Sequence, residues 1–211
     1  MDTLFIPLLA LVAFGLGAIP FSTIVGRRLL GQDIRDYGDG NPGSANVFRA
    51  GGVKAGYLAV FLDIAKGFPV AYLAHTSFDV PITGVIIIGI SAILGHAFSP
   101  FLRWRGGKAV AVTFGVLLAM PNFEIILSFG AFVIIGALFI DNDAWGVSFG
   151  AAGSLAFQFL SRGGTWETLL MACVLAILVV KHFADLRRLP GLRGRMYRGV
   201  QSIVRDTTAS G

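Results

Sequence analysis

The sequence has few charged residues and only one cysteine, and both scarcities narrow the kinds of protein it can be. Charged residues make up 14% of the 211 positions, whereas soluble domains carry about 25%. Apolar residues make up 55% and the mean hydropathy is +0.76, which together indicate one compact integral membrane protein. Because Cys173 has no second cysteine to pair with, a disulfide within the chain is excluded.

Three common site signatures are also missing. No group of His, Cys, Asp and Glu has metal-ligand spacing, so we predict no bound metal, no other cofactor and no nucleic-acid partner. The run Gly106-Gly107-Lys108 is followed by Ala109 rather than by Ser or Thr, and the rest of a Walker phosphate loop is absent. No grouping of Ser, His and Asp has obvious nucleophilic character.

Seven apolar runs are candidates for membrane-spanning helices. They lie at 4–26, 55–73, 80–101, 109–120, 125–140, 144–161 and 168–180. A spanning helix needs about 20 residues, so the shorter runs must include flanking residues or lie where the bilayer is thin. The first run is expected to be a span rather than a signal peptide, because no basic residue precedes it. We predict an all-α, polytopic bundle of about seven transmembrane helices, a single domain over 1–211, with a basic tail from about 181.

Basic residues divide unevenly between the two ends of these helices. With seven spans, all 17 lysines and arginines lie on one side of the membrane or at its interface, except Arg162 on the other side and Lys66 within a span. Cytoplasmic loops carry the excess of positive charge. The pattern therefore predicts a multi-pass protein of the plasma membrane, with the N-terminus outside and the C-terminus in the cytoplasm.

Three polar segments rich in glycine and basic residues lie on the predicted cytoplasmic side, at 33–49, 95–111 and 181–195. Glycine lets backbone amides approach a ligand closely, and such amides form anion-binding concavities beside arginine and lysine. Together the three segments predict loops that hold phosphate-bearing ligands at the membrane surface. Any single arginine is equally consistent with membrane orientation alone.

One ionisable pair, Asp63 and Lys66, lies inside the second apolar run, three residues apart on one helical face. Ionisable residues within a membrane are candidates for function. Mutual neutralisation of the two charges is the alternative interpretation.

The polar segments resemble, in order, the motifs of the bacterial acyl-phosphate-dependent glycerol-3-phosphate acyltransferases, a seven-span membrane family (PlsY type) of phospholipid synthesis. GDGNPGSAN at 38–46 is similar to the family's GSGNPGATN-like loop, with DIR at 33–35 and VFR at 47–49. LDIAKG at 62–67, GHAFSPFLRWRGGKAVAV at 95–112 and KHFADLRRL at 181–189 are similar to the later motifs. The resemblance covers nearly the whole chain.

The resemblance implies that an acyl group passes from acyl phosphate to the sn-1 hydroxyl of glycerol 3-phosphate, giving lysophosphatidic acid and phosphate. The two substrates are then the partners, and membrane lipid surrounds an apolar groove for the acyl tail. His182 would orient or polarise the hydroxyl or the leaving phosphate. The expected substrate-binding residues are Arg35, Asn41, Gly43, Asn46, Arg49, Lys66, Gly106, Gly107, Lys108 and Ser148.

Four positions depart from the family's pattern. Asp39 replaces a serine, Asp185 an asparagine, Ala109 a glycine and Val112 a threonine. Asp39 and Asp185 are candidate general bases for the acceptor hydroxyl, which a carboxylate can serve as. Alternatively, the two aspartates pair with the arginines and leave the chemistry intact. A third interpretation is that the chain is a divergent paralogue with a different acceptor or little activity. A transporter or an anion sensor is the alternative of another class, although no repeat between the halves favours transport.

Overall fold

The computed structural model describes residues 4–194, which form ten α-helices and no strand, apart from one isolated bridge between Ile140 and Leu192. The predicted basic tail extends beyond this range, so Arg195, Arg198 and Arg205 lie outside the described residues. The helices are α1 (Phe5–Ala18), α2 (Phe21–Val25), α3 (Ser44–Arg49), α4 (Val53–Ala65), α5 (Pro69–Thr76), α6 (Ile82–Ala97), α7 (Val110–Leu118), α8 (Phe123–Phe139), α9 (Asp143–Arg162) and α10 (Trp166–Leu186). The predicted all-α fold is confirmed.

Four stretches of helix in the described range are long and apolar enough to cross a membrane. They are Phe5–Leu30, Val53–Thr76, Ile82–Leu102 and Trp166–Leu186. The apolar α8 is shorter, at 17 residues. The nine residues of α7 extend for only about 14 Å, which is less than half the thickness of a hydrocarbon core. The count of seven spans therefore stays a prediction.

The first stretch is interrupted at Pro20, and the interruption determines where two buried polar side chains lie. Proline removes a backbone donor and ends α1, so carbonyl oxygens near the break need other partners inside the membrane. Ser99 Oγ donates to Ala18 O at 2.6 Å, and Lys66 Nζ donates to Ile19 O at 2.7 Å. The break is thus tied to the ends of α4 and α6.

Small residues allow the helices to approach closely, as is common in membrane bundles. A side chain at Gly17 would overlap the backbone of Ala92, and one at Gly95 would overlap the backbone of Phe14, so α1 packs directly along α6. Gly136 and Gly146 have the same relation between α8 and α9.

The last helix is longer than the sequence indicated. The segment 181–195 was expected to be a loop that follows the last span, and this prediction is wrong for its first six residues, because Lys181–Leu186 form the end of α10. No glycine or proline interrupts the helix before Pro190, so polar residues continue it. Beyond it, Trp145 Nε1 donates to Arg188 O at 2.9 Å, and Arg193 pairs with Asp143 at 3.0 Å. These contacts hold the end of α10 beside the start of α9.

Candidate active site

Two adjoining cavities lie where the polar segments meet. The smaller has a volume of about 180 Å³ and the larger about 900 Å³. The polar residues of the smaller cavity are Asp39, Asn41, Ser44, Asn46, Arg49, Asp63, His96, Lys108, Asp143 and His182. The larger is lined by Arg35, Arg103, Arg105, Lys181, Phe101 and Trp104, among others. Asp39 and Asn41 line both cavities and so form the boundary between them.

The loop that precedes α3 closes around the carboxylate of Asp39. Gly38 and Gly40 adopt φ of 59° and 71°, a conformation that glycine reaches without strain. Asp39 Oδ1 accepts hydrogen bonds from Asn41 N at 3.1 Å and from Asn46 Nδ2 at 2.9 Å. Asn46 Nδ2 also donates to Asn41 O at 2.8 Å. The acidic residue is therefore part of the loop's own architecture.

Asn46 also positions Arg49. The Arg49 guanidinium donates from Nη1 to Asn46 Oδ1 at 2.7 Å and reaches the smaller cavity. A side chain at Gly38 would overlap both Asn46 and Arg49, so glycine is required there by close packing as well as by its backbone. Gly43 lines the same cavity at the start of α3.

Lys108 connects this loop to α10 through two aspartates. Its ammonium lies 2.7 Å from Asp39 Oδ2 and 2.6 Å from Asp185 Oδ2. Burial would raise the pKa of Asp39, but hydrogen bonds from Lys108 and Asn41 outweigh it and lower that pKa to about 2. Burial would lower the pKa of Lys108, but hydrogen bonds to Asp185 and Asp39 raise it. The Lys108 ammonium is therefore held between two carboxyl groups.

His182 presents a single free ring nitrogen to the cavity. It is buried on α10, and its Nδ1 lies 2.8 Å from Leu178 O. A carbonyl oxygen can only accept, so Nδ1 carries the proton and the lone pair of the neutral ring is on Nε2. That nitrogen can accept a hydrogen bond or a proton from a hydroxyl group.

A buried polar cluster closes the far wall of the smaller cavity. Asp63 accepts a hydrogen bond from Ser22 Oγ at 2.6 Å and pairs with Lys66 at 2.7 Å, while His96 Nδ1 lies 3.8 Å from Asp63. Asp63 and His96 line the cavity. Lys66, an expected substrate-binding residue, does not line the cavity. It lies behind Asp63, with which it is paired.

Gly106 and Gly107, also expected at the substrate, pack against the end of α6. The amide of Gly107 donates to His96 O at 3.1 Å, and a side chain at either glycine would overlap His96 or Ala97. Lys181 Nζ donates to Gly106 O at 3.1 Å and to Ala97 O at 2.7 Å. The glycines therefore hold the segment just before Lys108 against the end of α6.

The remaining predicted residues lie around the larger cavity or next to the smaller one. Arg35 lines the larger cavity, where its guanidinium binds both oxygens of Asp33 at 2.9 and 2.6 Å, and this hydrogen bonding raises the pKa of Arg35. Ser148 follows Val147 of the cavity wall, and its buried hydroxyl has no hydrogen-bond partner among residues 4–194.

Sequence reasoning did not select five charged or titratable residues that line these cavities: His96, Arg103, Arg105, Asp143 and Lys181. His96, Arg103 and Arg105 lie within the segment similar to the family's second motif, and Lys181 begins the segment similar to its third, which was the available signal. Asp143 reaches the site through the packing of α9 against α10, and no sequence pattern signals that approach. Within the described range, no group of three or more His, Cys, Asp or Glu is arranged to hold a metal ion.

Comparison with known proteins gives one consistent family. The family model described as "Glycerol-3-phosphate acyltransferase" matches residues 7–191. A glycerol-3-phosphate acyltransferase of Wolbachia pipientis is 35% identical over 190 residues, covering 89% of this chain and 95% of the relative. One from Ralstonia pickettii is 34% identical over 183 residues, covering 85% of this chain and 88% of the relative.

A solved structure supports the same assignment. The crystal structure of PlsY, an integral membrane glycerol 3-phosphate acyltransferase, in its glycerol 3-phosphate form aligns with a TM-score of 0.78 and 28% identity, covering 87% of this chain and 90% of that chain. Its lysophosphatidic acid form aligns with a TM-score of 0.75. The resemblance found in the motifs is therefore confirmed: the chain is an all-α integral membrane protein that belongs to the glycerol-3-phosphate acyltransferase family.

Proposed function

We propose that this protein transfers an acyl group from acyl phosphate to the sn-1 hydroxyl of glycerol 3-phosphate, producing lysophosphatidic acid and inorganic phosphate. One observation carries the proposal. Arg49, Lys108 and His182 come from three separate polar segments and converge on one cavity of about 180 Å³. That cavity combines cations for a phosphate with a nitrogen that can accept a hydroxyl proton.

The chemistry needs positioning more than activation, because acyl phosphate already carries a good leaving group. The acceptor hydroxyl donates its hydrogen bond to His182 Nε2, and Lys108 and Arg49 contact phosphate oxygens. The hydroxyl oxygen forms a bond to the acyl carbon, the bond from that carbon to the phosphate oxygen breaks, and phosphate leaves with the electron pair. The hydroxyl proton passes to His182. Holding both reactants in line supplies much of the acceleration, and no covalent acyl-enzyme is required.

Two phosphates must be held close together, and the two cavities offer room for both. The larger cavity carries Arg35, Arg103, Arg105 and Lys181, a set of cations suited to the phosphate group of acyl phosphate. Apolar residues of the smaller cavity, Val110 and Val147 among them, suit the first carbons of an acyl chain. The rest of that chain extends into membrane lipid.

The donor is tested directly with purified protein. Radiolabelled glycerol 3-phosphate is supplied with acyl phosphate, acyl-CoA or an acylated carrier protein of the same chain length. We expect lysophosphatidic acid from acyl phosphate alone, and at least a hundredfold less from His182→Ala, which removes the proton acceptor. Equal rates with acyl-CoA would contradict the proposed donor. Flux of glycerol 3-phosphate into liposomes without acyl transfer would indicate a transporter instead.

The proposed site faces the cytoplasm, with the N-terminus outside and the C-terminus inside. Support comes from the clustering of basic residues on one side of the bundle, since positive charge is retained in cytoplasmic loops. In a Cys173→Ala background, Asp36→Cys on the loop before α3 should be protected from an impermeant thiol reagent in intact cells. Gly164→Cys, on the exposed connection between α9 and α10, should be labelled. The reverse pattern would invert this orientation.

A further inference from the structure

The ammonium of Lys108 is already balanced by more negative charge than it carries. Asp39 and Asp185 each take one of its three N–H donors, at 2.7 and 2.6 Å. The titratable and charged groups that face or line this region are Asp39, Arg49, Asp63, His96, Lys108, Asp143, His182 and Asp185. Asp63 is paired with Lys66 and Asp143 with Arg193. Within the described residues, Arg49 is then the cation of this wall that has no carboxylate partner.

This arrangement disfavours a phosphate dianion beside Lys108. Two carboxylates at hydrogen-bond distance from the same ammonium repel a doubly charged ligand, and such repulsion is a common way for a site to reject a competing species. A phosphate monoanion carries one P–O–H group, which can donate a hydrogen bond to a carboxylate while its other oxygens accept from Lys108 and Arg49. The same two aspartates thus repel one protonation state of phosphate and bind the other.

We propose that Asp39 and Asp185 are specificity-determining residues that make this site bind the acceptor's phosphate group as its monoanion. The inference rests on the proposed function in one respect, namely that the ligand beside Lys108 is a phosphate-bearing alcohol. Neutral side chains at these two positions would not distinguish the two protonation states by repulsion. The two carboxylates therefore determine the charge of the ligand that is selected.

The expected pH dependence belongs to the ligand rather than to the aspartates. The pKa of Asp39 is lowered to about 2 and that of Lys108 is raised, so both stay charged between pH 5 and 8. A phosphate monoester loses its second proton near pH 6. Affinity for glycerol 3-phosphate should therefore be constant below about pH 6 and fall about tenfold for each pH unit above it. His96 and His182 also face the cavity, so their titration has to be separated from that of the ligand.

A phosphonate analogue of glycerol 3-phosphate distinguishes titration of the ligand from titration of the histidines. Its second pKa is higher than that of the phosphate ester, whereas the histidines of the protein are the same. Binding of both ligands is measured by calorimetry on the full-length protein in nanodiscs from pH 5 to 8.5. The pH at which affinity begins to fall should move upward with the pKa of the phosphonate. A midpoint that is the same for both ligands, or an affinity that does not fall as pH rises, would overturn the proposal.

Removing the two charges tests the residues themselves. In Asp39→Asn, the amide oxygen can still accept from Asn41 N and Asn46, so the loop keeps its internal bonds. The double variant Asp39→Asn with Asp185→Asn should bind glycerol 3-phosphate at least tenfold more tightly than the unmodified protein at pH 8, with a flat pH profile. Asp36→Asn removes one charge from the same loop at an exposed position and should leave the profile unchanged. A double variant with the unmodified profile would contradict the assignment.

Acyl transfer, measured on the same samples, distinguishes this inference from the proposed function. If binding follows the protonation of the ligand but no donor supports transfer at pH 5.5, the proposed function fails and the charge selection stands. If transfer occurs and binding is independent of ligand protonation, the function stands and the charge selection is wrong.

Discussion

Replacement of Lys108 by alanine should inactivate the protein while leaving its stability nearly intact. The ammonium makes two ion pairs, but the side chains are partly exposed, by 27% for Lys108, 35% for Asp39 and 41% for Asp185. Ion pairs screened by solvent contribute about 0.2–1 kcal/mol each, so the free energy of unfolding should fall by about 1 kcal/mol. The effect on catalysis is larger, because a phosphate would then face two carboxylates with no cation between them.

The magnitude of that catalytic effect follows from charge and distance. Loss of one preorganised donor from an anionic transition state costs about 10²–10³ in kcat. Repulsion between unit charges 4 Å apart adds up to about 4 kcal/mol at an effective dielectric of 20. We therefore expect Lys108→Ala to lower kcat/KM by at least 10³, as measured by lysophosphatidic acid formation at several concentrations of each substrate.

Lys66 provides the matched control, since it is also a lysine paired with an aspartate. Its pair with Asp63 is buried, with side-chain exposures of 1% and 2%, and Lys66 also satisfies the carbonyl of Ile19. Breaking a buried pair costs about 3–5 kcal/mol, so Lys66→Met should lower stability far more than Lys108→Ala does. Thermal unfolding in detergent measures both. A strongly destabilised Lys108→Ala that retained normal turnover would refute this distinction.

Three further results are expected. Ala109 has φ of 64°, so Ala109→Gly should relieve left-handed strain and raise the free energy of unfolding by about 1 kcal/mol in a denaturant titration. Gly95→Ala would press a methyl group against the backbone of Phe14, so the α1–α6 contact should weaken by about 1–3 kcal/mol, measured as a lower Tm. Because the pKa of Asp39 is lowered from 3.8 to about 2, its ionised form stabilises the folded state above about pH 4 and loses that effect as pH falls towards 2. The Tm difference between the unmodified protein and Asp39→Asn should accordingly be constant from pH 5 to 8 and shrink below pH 4.

The convergence of the polar segments could be predicted from the sequence, because motif order and charge asymmetry are both local signals. Arg49, Lys108 and His182 were selected on that basis, and they line one cavity. Whether they contact substrate stays a prediction. The glycines at 106 and 107 were selected for amides that would hold phosphate, yet the structure uses the amide of Gly107 to bond the end of α6.

The partners of the two anomalous aspartates could not be predicted. The sequence offered the arginines as partners, but Arg49 bonds Asn46 and Arg35 bonds Asp33, while Asp39 and Asp185 share Lys108. These side chains are 69 to 146 residues apart, and they meet only because the fold brings the loop before α3 and the segment before α7 to the end of α10. Sequence composition gives no information about that approach. The contact of Lys66 with Ile19 has the same origin, since it depends on the break at Pro20.

The extent of α10 shows a different limit. The hydropathy pattern predicted that the last span ends near Val180, because Lys181 and His182 are polar. Backbone hydrogen bonding does not depend on hydropathy, and the helix continues to Leu186. As a result His182 lies on a rigid helix, where Leu178 fixes its ring, rather than on a loop.

Direct acyl transfer is tested most directly by measuring both products in one rapid-quench reaction with purified protein. Acyl phosphate is first mixed with the protein alone, and glycerol 3-phosphate is added afterwards. The amounts of inorganic phosphate and of lysophosphatidic acid are measured in the same samples. We predict no rapid release of phosphate before the acceptor is added, and afterwards one phosphate for each lysophosphatidic acid formed. A burst of phosphate equal to the protein concentration in the absence of acceptor would show a covalent acyl-enzyme and contradict this account.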